Sequence, residues 1–408
     1  MSDTTLETPG VLRPEDRQPS GADGAGGAPQ PWYRRHVWWL VGVAVIVVSA
    51  AIVRYAHTRP GYDPYGWLIW GYQTLHLSLD LGGAPSWKPL PLLFTVPYSL
   101  FGHYALWLWM TTAEAAAFAG SIFAGRIAYR VVNTDGRYRN AAIAAAIFAG
   151  LGMYGIQDNI NGTLDSYMHY ILSVQSDPMI VSIVLAAIDF HMTKHRRWVI
   201  AMLVLASLGR PEAWPFLGLY GLWCWRIRPD MRIFLGVSAF IVAFLWFGVP
   251  TITNGRPFVA GDLAQGSPRE LHQNKIIGTI DRFKTLNLWP VWVLALAAVA
   301  WAGYRWRRLR DVFAAGTASV IQRTERDNYL LVLALAAGIV IWLVIEVAFA
   351  LHGWPAVPRY IFEPAVVAVL LGGIGFGWLI REMPTTLKLP AWPGIVAAGL
   401  LAVALVPG

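Results

Sequence analysis

The amino-acid sequence predicts an all-α, polytopic membrane protein with about eleven transmembrane helices. Three observations predict this fold class. Of 408 residues, 56% are hydrophobic and 14% charged, with a mean hydropathy of +0.46, whereas soluble domains are about 25% charged. Apolar runs recur along the chain, and Lys and Arg collect in alternate connections. The composition excludes a disordered protein and a soluble nucleic-acid binder, and the single cysteine, Cys224, excludes an intrachain disulfide.

The elements follow from the position of each apolar run. Residues 1–37 are polar and carry several acidic side chains, so we expect a disordered cytoplasmic tail and no cleaved signal peptide. Residues 38–408 form the predicted transmembrane domain. Its candidate spans are 38–54, 104–126, 140–156, 178–193, 198–210, 212–225, 232–250, 288–304, 328–351, 360–380 and 390–406.

Two stretches need a separate interpretation. Residues 85–102 are too short and too rich in proline for a plain span, so we expect a re-entrant or interfacial helix there. The glycines between 372 and 377 lie within an apolar run, which favours close helix packing over a phosphate-binding loop.

The basic residues predict the orientation in the plasma membrane. With the N-terminus in the cytoplasm, 22 of the 32 Lys and Arg residues fall in cytoplasmic segments, which is the bias that the positive-inside rule describes. The longer connections 55–103, 157–177 and 251–287 are then extracytoplasmic. Because the basic residues are divided among short loops, they do not form a nucleic-acid-binding surface.

Ionisable side chains at a membrane boundary are costly, so each is a candidate functional residue. In this topology several share the extracytoplasmic boundary, namely Asp63, Lys88, Asp177, Arg210, Glu212 and Arg359. This grouping suits a reaction in which a carboxylate removes a proton while cations hold an anionic group.

The same residues also have structural interpretations, which the sequence leaves open. The Asp-Pro pairs at 63–64 and 177–178 fit helix starts. Residues 210–212 fit a tight turn between two helices, and residues 359–360 fit an interfacial anchor.

A divalent cation is a possible cofactor. Its candidate ligands lie on the outer side and are Asp63, Asp80, Asp158, Asp165, Asp177, His76 and His169. No pair of them has a diagnostic metal-binding spacing, so solvated loop residues are the favoured interpretation.

The order of five short motifs resembles the GT-C class of integral-membrane glycosyltransferases, over most of the chain from about residue 38. The motifs are Gly61-Tyr62-Asp63-Pro64, Lys88-Pro89-Leu90-Pro91 leading to Leu100-Phe101-Gly102, Ser176-Asp177-Pro178, Gly209-Arg210-Pro211-Glu212 and Pro358-Arg359-Tyr360. Relatives often carry a second acid where this chain has Pro64, and Glu where it has Asp177.

The resemblance implies a helical first extracytoplasmic loop and an enzyme that moves a sugar from a polyprenyl-phosphate carrier to a glycan or glycolipid hydroxyl, with inversion. It implies that Asp63 is the catalytic base. The substrate-binding residues that it implies are Lys88, Arg210, Glu212, Asp177, Arg359, Tyr360 and Trp67. Mannosyl and arabinosyl donors are both compatible with these residues.

Two other classes remain open. A multi-pass transporter or flippase of lipid-linked sugars would gather polar groups near the bilayer midplane. Here Asp189 and Glu346 are the few carboxylates within spans, and they show no repeat symmetry. An oligosaccharide ligase or polymerase would depend on a large outer loop rather than on an acidic first loop.

Overall fold

Helices form nearly all of the secondary structure, because a backbone within lipid must satisfy its hydrogen bonds internally. The structure is a computed structural model that describes residues 36–56, 58–158, 165–265, 267, 269–271, 274–382 and 396–399. The chain divides into two units, residues 1–44 and 45–408, and the site and core described below belong to the second.

The helices are named in chain order. The first nine are α1 (Val37–Tyr55), α2 (Tyr62–Leu75), α3 (Pro89–Tyr98), α4 (Ala105–Val132), α5 (Arg139–Gly152), α6 (Tyr167–Leu172), α7 (Asp177–Met192), α8 (Arg196–Gly209) and α9 (Trp214–Ile227). They are followed by α10 (Arg232–Ala243), α11 (Val249–Asn254), α12 (Val259–Ala264), α13 (Lys275–Thr285), α14 (Trp289–Ala314), α15 (Val320–Leu351) and α16 (Phe362–Glu382).

Short irregular segments connect these helices. The 3₁₀ turns are Ser99–Tyr104, Met153–Gly155, Pro211–Ala213, Pro229–Met231 and Pro358–Ile361, and a π turn, Phe244–Gly248, joins α10 to α11. Two-residue strands β1 (Gln157–Asp158) and β2 (Asp165–Ser166) pair antiparallel. Apart from this pair, the described residues confirm the all-helical prediction.

Within the described part of the chain, five helical stretches are long and apolar enough to cross a membrane: Val37–Tyr55, Pro89–Val132, Pro229–Asn254, Val320–Leu351 and Pro358–Glu382. Helices α13 and α14 make a sixth if they count as one span bent by 98°. The membrane-protein class is therefore confirmed, and the number of eleven spans stays a prediction.

Three predicted spans form helices that are short for a bilayer. Helices α5, α8 and α9 have 14 residues each, which at about 1.5 Å per residue is about 21 Å, against roughly 30 Å of hydrocarbon. The predicted span 390–406 lies outside the described residues except for 396–399, and the predicted tail lies outside them up to residue 35.

The connection after α1 is helical, because it contains α2. Helix α3 begins at Pro89, with Pro91 also in its first turn, where a missing N–H removes no helical hydrogen bond. Gly102 then breaks the helical path with φ 56° and ψ −124° before α4 begins, a conformation that glycine adopts readily. The predicted separate helix at 85–102 is present as α3 and the turn that follows it.

Helix α16 is buried along most of its length and packs against α14, α5 and α4. Its glycines permit this approach. A Cβ atom at Gly375 would overlap the Leu294 carbonyl oxygen, and one at Gly373 would lie 2.9 Å from the Ala145 carbonyl oxygen. The prediction that these glycines serve helix packing is confirmed.

The ends of the helices separate two groups of polar residues. The predicted site residues lie where α2, α3, α7 and α16 begin. At the opposite ends, Arg126 and Arg130 pair with Asp189, and Arg381 pairs with Glu325. Arg126, Arg130 and Arg381, which the sequence assigns to the cytoplasm, thus lie at the end that faces away from the candidate site.

We expect Gly375→Ala to lower the free energy of unfolding by about 1–3 kcal/mol, because the added methyl group meets backbone that cannot rotate away. The control is Gly303→Ala in α14, where a Cβ atom meets nothing within 4 Å. Thermal unfolding of the detergent-solubilised protein measures both, and equal unfolding temperatures for the two variants would contradict this packing.

Candidate functional site

A cavity of about 660 Å³ lies at the end of the helices that carries the predicted site residues. Its wall comes from segments far apart in the sequence: the start of α2, the loop before α3, helix α6, the turn between α8 and α9, and the segment before α16. The predicted residues in this wall are Asp63, Lys88, Arg210, Glu212, Arg359 and Tyr360. The structure therefore brings most of the predicted site together.

Asp63 lies in the first turn of α2, at the cavity wall. The backbone N–H of Gly61 donates to the Ser173 carbonyl oxygen at 3.0 Å, which fixes the start of α2 against the end of α6. The Asp63 carboxylate accepts a 2.6 Å hydrogen bond from Ser86 Oγ and a 2.9 Å bond from Arg359 Nη1. No side chain caps α2, and both of these hydrogen bonds join Asp63 to residues of the cavity wall.

Asp177 lies at the start of α7 and contacts two cations. Lys88 Nζ lies 3.2 Å from Asp177 Oδ1 and 3.2 Å from Ser176 Oγ. Arg210 Nη2 donates to the same Oδ1 atom. Because Asp177 is fully buried and is not among the described residues that line the cavity, its contacts hold Lys88 and Arg210 in position.

Trp67 supports Lys88 from the other side. Its ring is fully buried, its Nε1 atom donates to the Ser86 carbonyl oxygen at 3.0 Å, and its centroid lies 5.7 Å from Lys88 Nζ. Like Asp177, Trp67 is behind the described cavity wall. Its role in substrate binding stays a prediction.

Arg210 is the most heavily paired cation of the site. Besides Asp177, it lies 3.4 Å from Glu212 Oε1 and 3.3 Å from Glu363 Oε1, and it is only 2% exposed. Its Nη2 atom also donates to the Arg359 carbonyl oxygen at 2.9 Å. The turn at 210–212 is thus present, but its two charged residues face inward and pair with each other.

Arg359 and Tyr360 lie in the 3₁₀ turn before α16. The guanidinium carbon of Arg359 is 5.6 Å from the Tyr360 ring and 6.0 Å from the Tyr170 ring, and that of Arg210 is 4.6 Å from the Tyr360 ring. The Arg359 side chain is 17% exposed and paired with Asp63. It therefore belongs to the cavity, which is not the position of an interfacial anchor.

Sequence reasoning missed two contributors to the site. Ser86 is one hydrogen-bonding partner of Asp63, and Glu363 is a carboxylate partner of Arg210. Glu363 follows Arg359 by one helical turn, and this spacing could have predicted that Glu363 lies near the site. Nothing in the sequence pattern around Ser86 distinguishes it from an ordinary loop serine.

Burial changes the electrostatics of Lys88, which precedes the span that begins at Pro89. Desolvation lowers the pKa of Lys88 below its ordinary value, and the charge of Asp177 opposes this effect. A phosphate beside the amine would favour the protonated form further, as any nearby negative charge does.

Those predicted metal ligands whose side chains the structure describes do not converge. Among the described residues, no group of three or more His, Cys, Asp or Glu side chains could hold a metal ion. The cavity carboxylates Asp63 and Glu212 are each paired with an arginine. Asp80 instead bonds Gly82 and Asn254, and the side chains of Asp158 and Asp165 lie outside the described residues.

Comparison with known proteins gives little further information. No family model matches the sequence, and no curated protein matches it. The crystal structure of ArnT from Cupriavidus metallidurans in the apo state is similar, with a TM-score of 0.46 and 12% sequence identity, over 91% of this chain and 70% of that chain. At this level the likeness supports no inference about activity.

We expect Arg210→Gln to lower the free energy of unfolding by about 3–5 kcal/mol, because it leaves Glu212 and Glu363 buried without their cation and leaves Asp177 with Lys88 alone. The matched control is Arg228→Gln, since Arg228 is 44% exposed and pairs with Asp230 at the opposite end. Chemical denaturation in detergent compares the variants. Similar losses in both would show that the buried pairs contribute no more than an exposed pair.

Proposed function

We propose that the protein is a GT-C-type integral-membrane glycosyltransferase. It transfers a hexosyl or pentosyl group from a polyprenyl-phosphate carrier to a hydroxyl of a glycan or glycolipid, at the extracytoplasmic face of the plasma membrane. One observation carries this proposal: Asp63, Lys88, Arg210 and Arg359 line a single cavity where several apolar helices begin.

The location of the cavity suits a substrate with a lipid tail. Helix α3 and the segment leading into α16 both enter candidate spans directly from the cavity wall. A polyprenyl chain cannot leave the bilayer without a cost of about 0.8 kcal/mol per CH₂ group. An enzyme for such a donor must therefore hold the phosphate at the membrane boundary, where these cations lie.

The cations differ in their access to the cavity. The side chains of Lys88 and Arg359 are 13% and 17% exposed, whereas Arg210 is 2% exposed and held by carboxylates. Lys88 and Arg359 would therefore contact the donor phosphate, and Arg210 would fix the position of its neighbours. Fixed cations at a low-dielectric boundary stabilise the phosphate anion as it leaves.

Asp63 would act as the general base. The acceptor oxygen attacks the anomeric carbon, its proton passes to the Asp63 carboxylate, and the bond from that carbon to the phosphate oxygen breaks. The products are the glycosylated acceptor and polyprenyl phosphate, and a single displacement inverts the anomeric carbon. Arg359 contacts Asp63 and faces the cavity, so it can link the base to the leaving group.

The positions of Asp189 and Glu346 favour an enzyme over a transporter, although they are not the only carboxylates within spans, since Glu114 of α4 is also buried. Asp189 is paired with Arg126 and Arg130 at the opposite end of the helices. Glu346 lies close to Glu212 at the candidate site, with both oxygens buried. Neither of them marks a polar site at the midplane, which is where a transporter would bind its substrate.

We expect Asp63→Asn to lower kcat by about 10²–10⁴, the usual contribution of a general base. The measurement is sugar transfer by the purified protein from synthetic polyprenyl-phosphate mannose and arabinofuranose. Asp281→Asn is the control, because Asp281 belongs to the predicted outer segment but pairs with the exposed Lys284. Full activity of Asp63→Asn would remove the proposed base. Movement of the donor across vesicles without a transfer product would favour a flippase.

The lowered pKa of Lys88 predicts a pH dependence of donor binding. Lys88 binds phosphate as a cation, so the KM for the donor should rise as the pH rises through that pKa. Lys88→Arg should remove this rise at alkaline pH, because an arginine stays protonated. The KM is measured from pH 7 to 10 in both proteins, and parallel profiles would show that Lys88 does not bind the phosphate.

A further inference from the structure

A second cavity, of about 770 Å³, lies at the end of the helices opposite the candidate site. Its charged and polar wall comes from the end of α4, the turn between α7 and α8, and the first half of α15. The charged and titratable side chains that line it are Arg130, His191, Lys194, Arg196 and Asp327. The hydroxyl and amide groups of Tyr129, Asn133, Thr134, Thr193, Tyr220, Thr324 and Asn328 complete its polar surface.

Two of these cations have no carboxylate partner within the described part of the chain. Arg130 pairs with Asp189, and Asp327 pairs with Arg326. Lys194 and Arg196 make no such pair, and Arg196 instead lies over the Trp223 ring at 5.3 Å. Helix α8 begins at Arg196 without a side-chain cap, which adds the positive end of its dipole to the same wall.

An apolar groove of about 460 Å³ continues from this cavity into the membrane-spanning region, between helices α7 to α9 and helices α15 and α16. The two share wall residues, which are His191, Tyr220, Trp223, Leu331 and Ala334. By contrast, the groove shares none of its described lining residues with the candidate site cavity. Its polar opening is therefore at the basic end.

The length of the groove matches one leaflet. Along α15 it extends from Leu331 to Trp342, which is about 16 Å at about 1.5 Å per residue. Half of a hydrocarbon core is about 15 Å. A chain that enters at the basic end would fill the groove within its own leaflet and end beside Trp342 and Glu363, which contact the candidate-site residues Tyr360 and Arg210.

We propose that the cavity and the groove together bind one anionic phospholipid from the leaflet on the basic side. Its phosphate lies on Lys194 and Arg196, and one acyl chain follows the groove toward Trp342. Tyr220 and Trp223 lie between the two parts, the depth at which amphipathic rings meet headgroups. Basic pockets between helices on the cytoplasmic side suit anionic headgroups, which are concentrated in that leaflet.

The position of this lipid predicts that it stabilises the folded protein. It occupies the space between helices α7 to α9 and helices α15 and α16, and these two groups carry Asp177 and Glu363 respectively. Because both carboxylates contact Arg210 at the candidate site, a lipid that holds the two groups together stabilises the protein as a whole.

The test uses the full-length protein, delipidated in a neutral detergent. Thermal unfolding and native mass spectrometry are recorded with phosphatidylglycerol and with phosphatidylcholine of identical acyl chains. We expect one molecule of phosphatidylglycerol to stay bound, and we expect phosphatidylglycerol to raise the unfolding temperature more than phosphatidylcholine does. The double variant Lys194→Gln and Arg196→Gln should lose affinity for it by about tenfold or more. The matched control, Arg307→Gln with Arg310→Gln, removes two exposed cations from the same end that line neither space.

A third variant tests the groove separately from the headgroup. Gly338 lines the groove, and a Cβ atom there would lie 3.7 Å from the Phe216 ring. Gly338→Leu should weaken binding of long-chain phosphatidylglycerol and leave binding of a dihexanoyl analogue unchanged. The exposed single variant Lys194→Gln keeps the test valid if the double variant unfolds.

Three outcomes overturn the proposal. They are equal affinity for the two phospholipids, unchanged phosphatidylglycerol affinity in the Lys194 and Arg196 variants, or loss in those variants of affinity for polyprenyl phosphate alone. The last result would assign the cavity to the carrier lipid.

Discussion

A guanidinium buried at a membrane boundary must be matched by negative charge, and the pairing of Arg210 is the interaction on which the candidate site depends. Its carboxylate partners come from α7, from its own turn and from α16. Two further contacts extend the network, since Asp177 also holds Lys88 and the Arg359 carbonyl oxygen accepts from Arg210. The positions of all three cations are therefore linked.

This linkage explains why the site has both buried and accessible charges. Removing one partner from a buried ion pair leaves an uncompensated charge, which is more costly than losing an exposed pair. Arg210 is enclosed, so its contribution is to geometry. Asp177 holds Lys88, and Arg210 holds the backbone of Arg359, so both of these accessible cations are fixed at the cavity wall. Arg359 in turn holds Asp63.

The sequence was sufficient for the membrane class and for most of the charged residues in the cavity wall, because hydropathy and loop charge depend on local composition. It could not resolve contacts between distant segments. The sequence allowed Asp63 to be a helix-start residue or a cavity residue, and only its contacts with Ser86 and Arg359 distinguish the two. Likewise, only the contact with Asp63 distinguishes a site role of Arg359 from that of an interfacial anchor. Hydropathy predicted α5, α8 and α9 as spans, and whether these helices of 14 residues cross the bilayer stays a prediction, because an apolar run does not by itself distinguish lipid from neighbouring helices.

The two ends of the molecule carry different kinds of polar surface. At the candidate site, Lys88, Arg210 and Arg359 each have a carboxylate partner, so an arriving anion meets a preorganised network. At the basic end, Lys194 and Arg196 have none within the described residues. A preorganised network suits a substrate that must be positioned for chemistry, whereas unpaired cations suit a headgroup that only has to be retained.

The ion pair between Asp63 and Arg359 joins residues that are 296 positions apart, and this separation has a consequence for biosynthesis. A chain emerging from a ribosome inserts its early helices long before its later ones exist. Until the segment carrying Arg359 is translated and inserted, the acid near the start has no counterion and the pocket lacks a wall. A nascent polypeptide that ends before that point therefore lacks both the arginine that pairs with Asp63 and this part of the cavity wall.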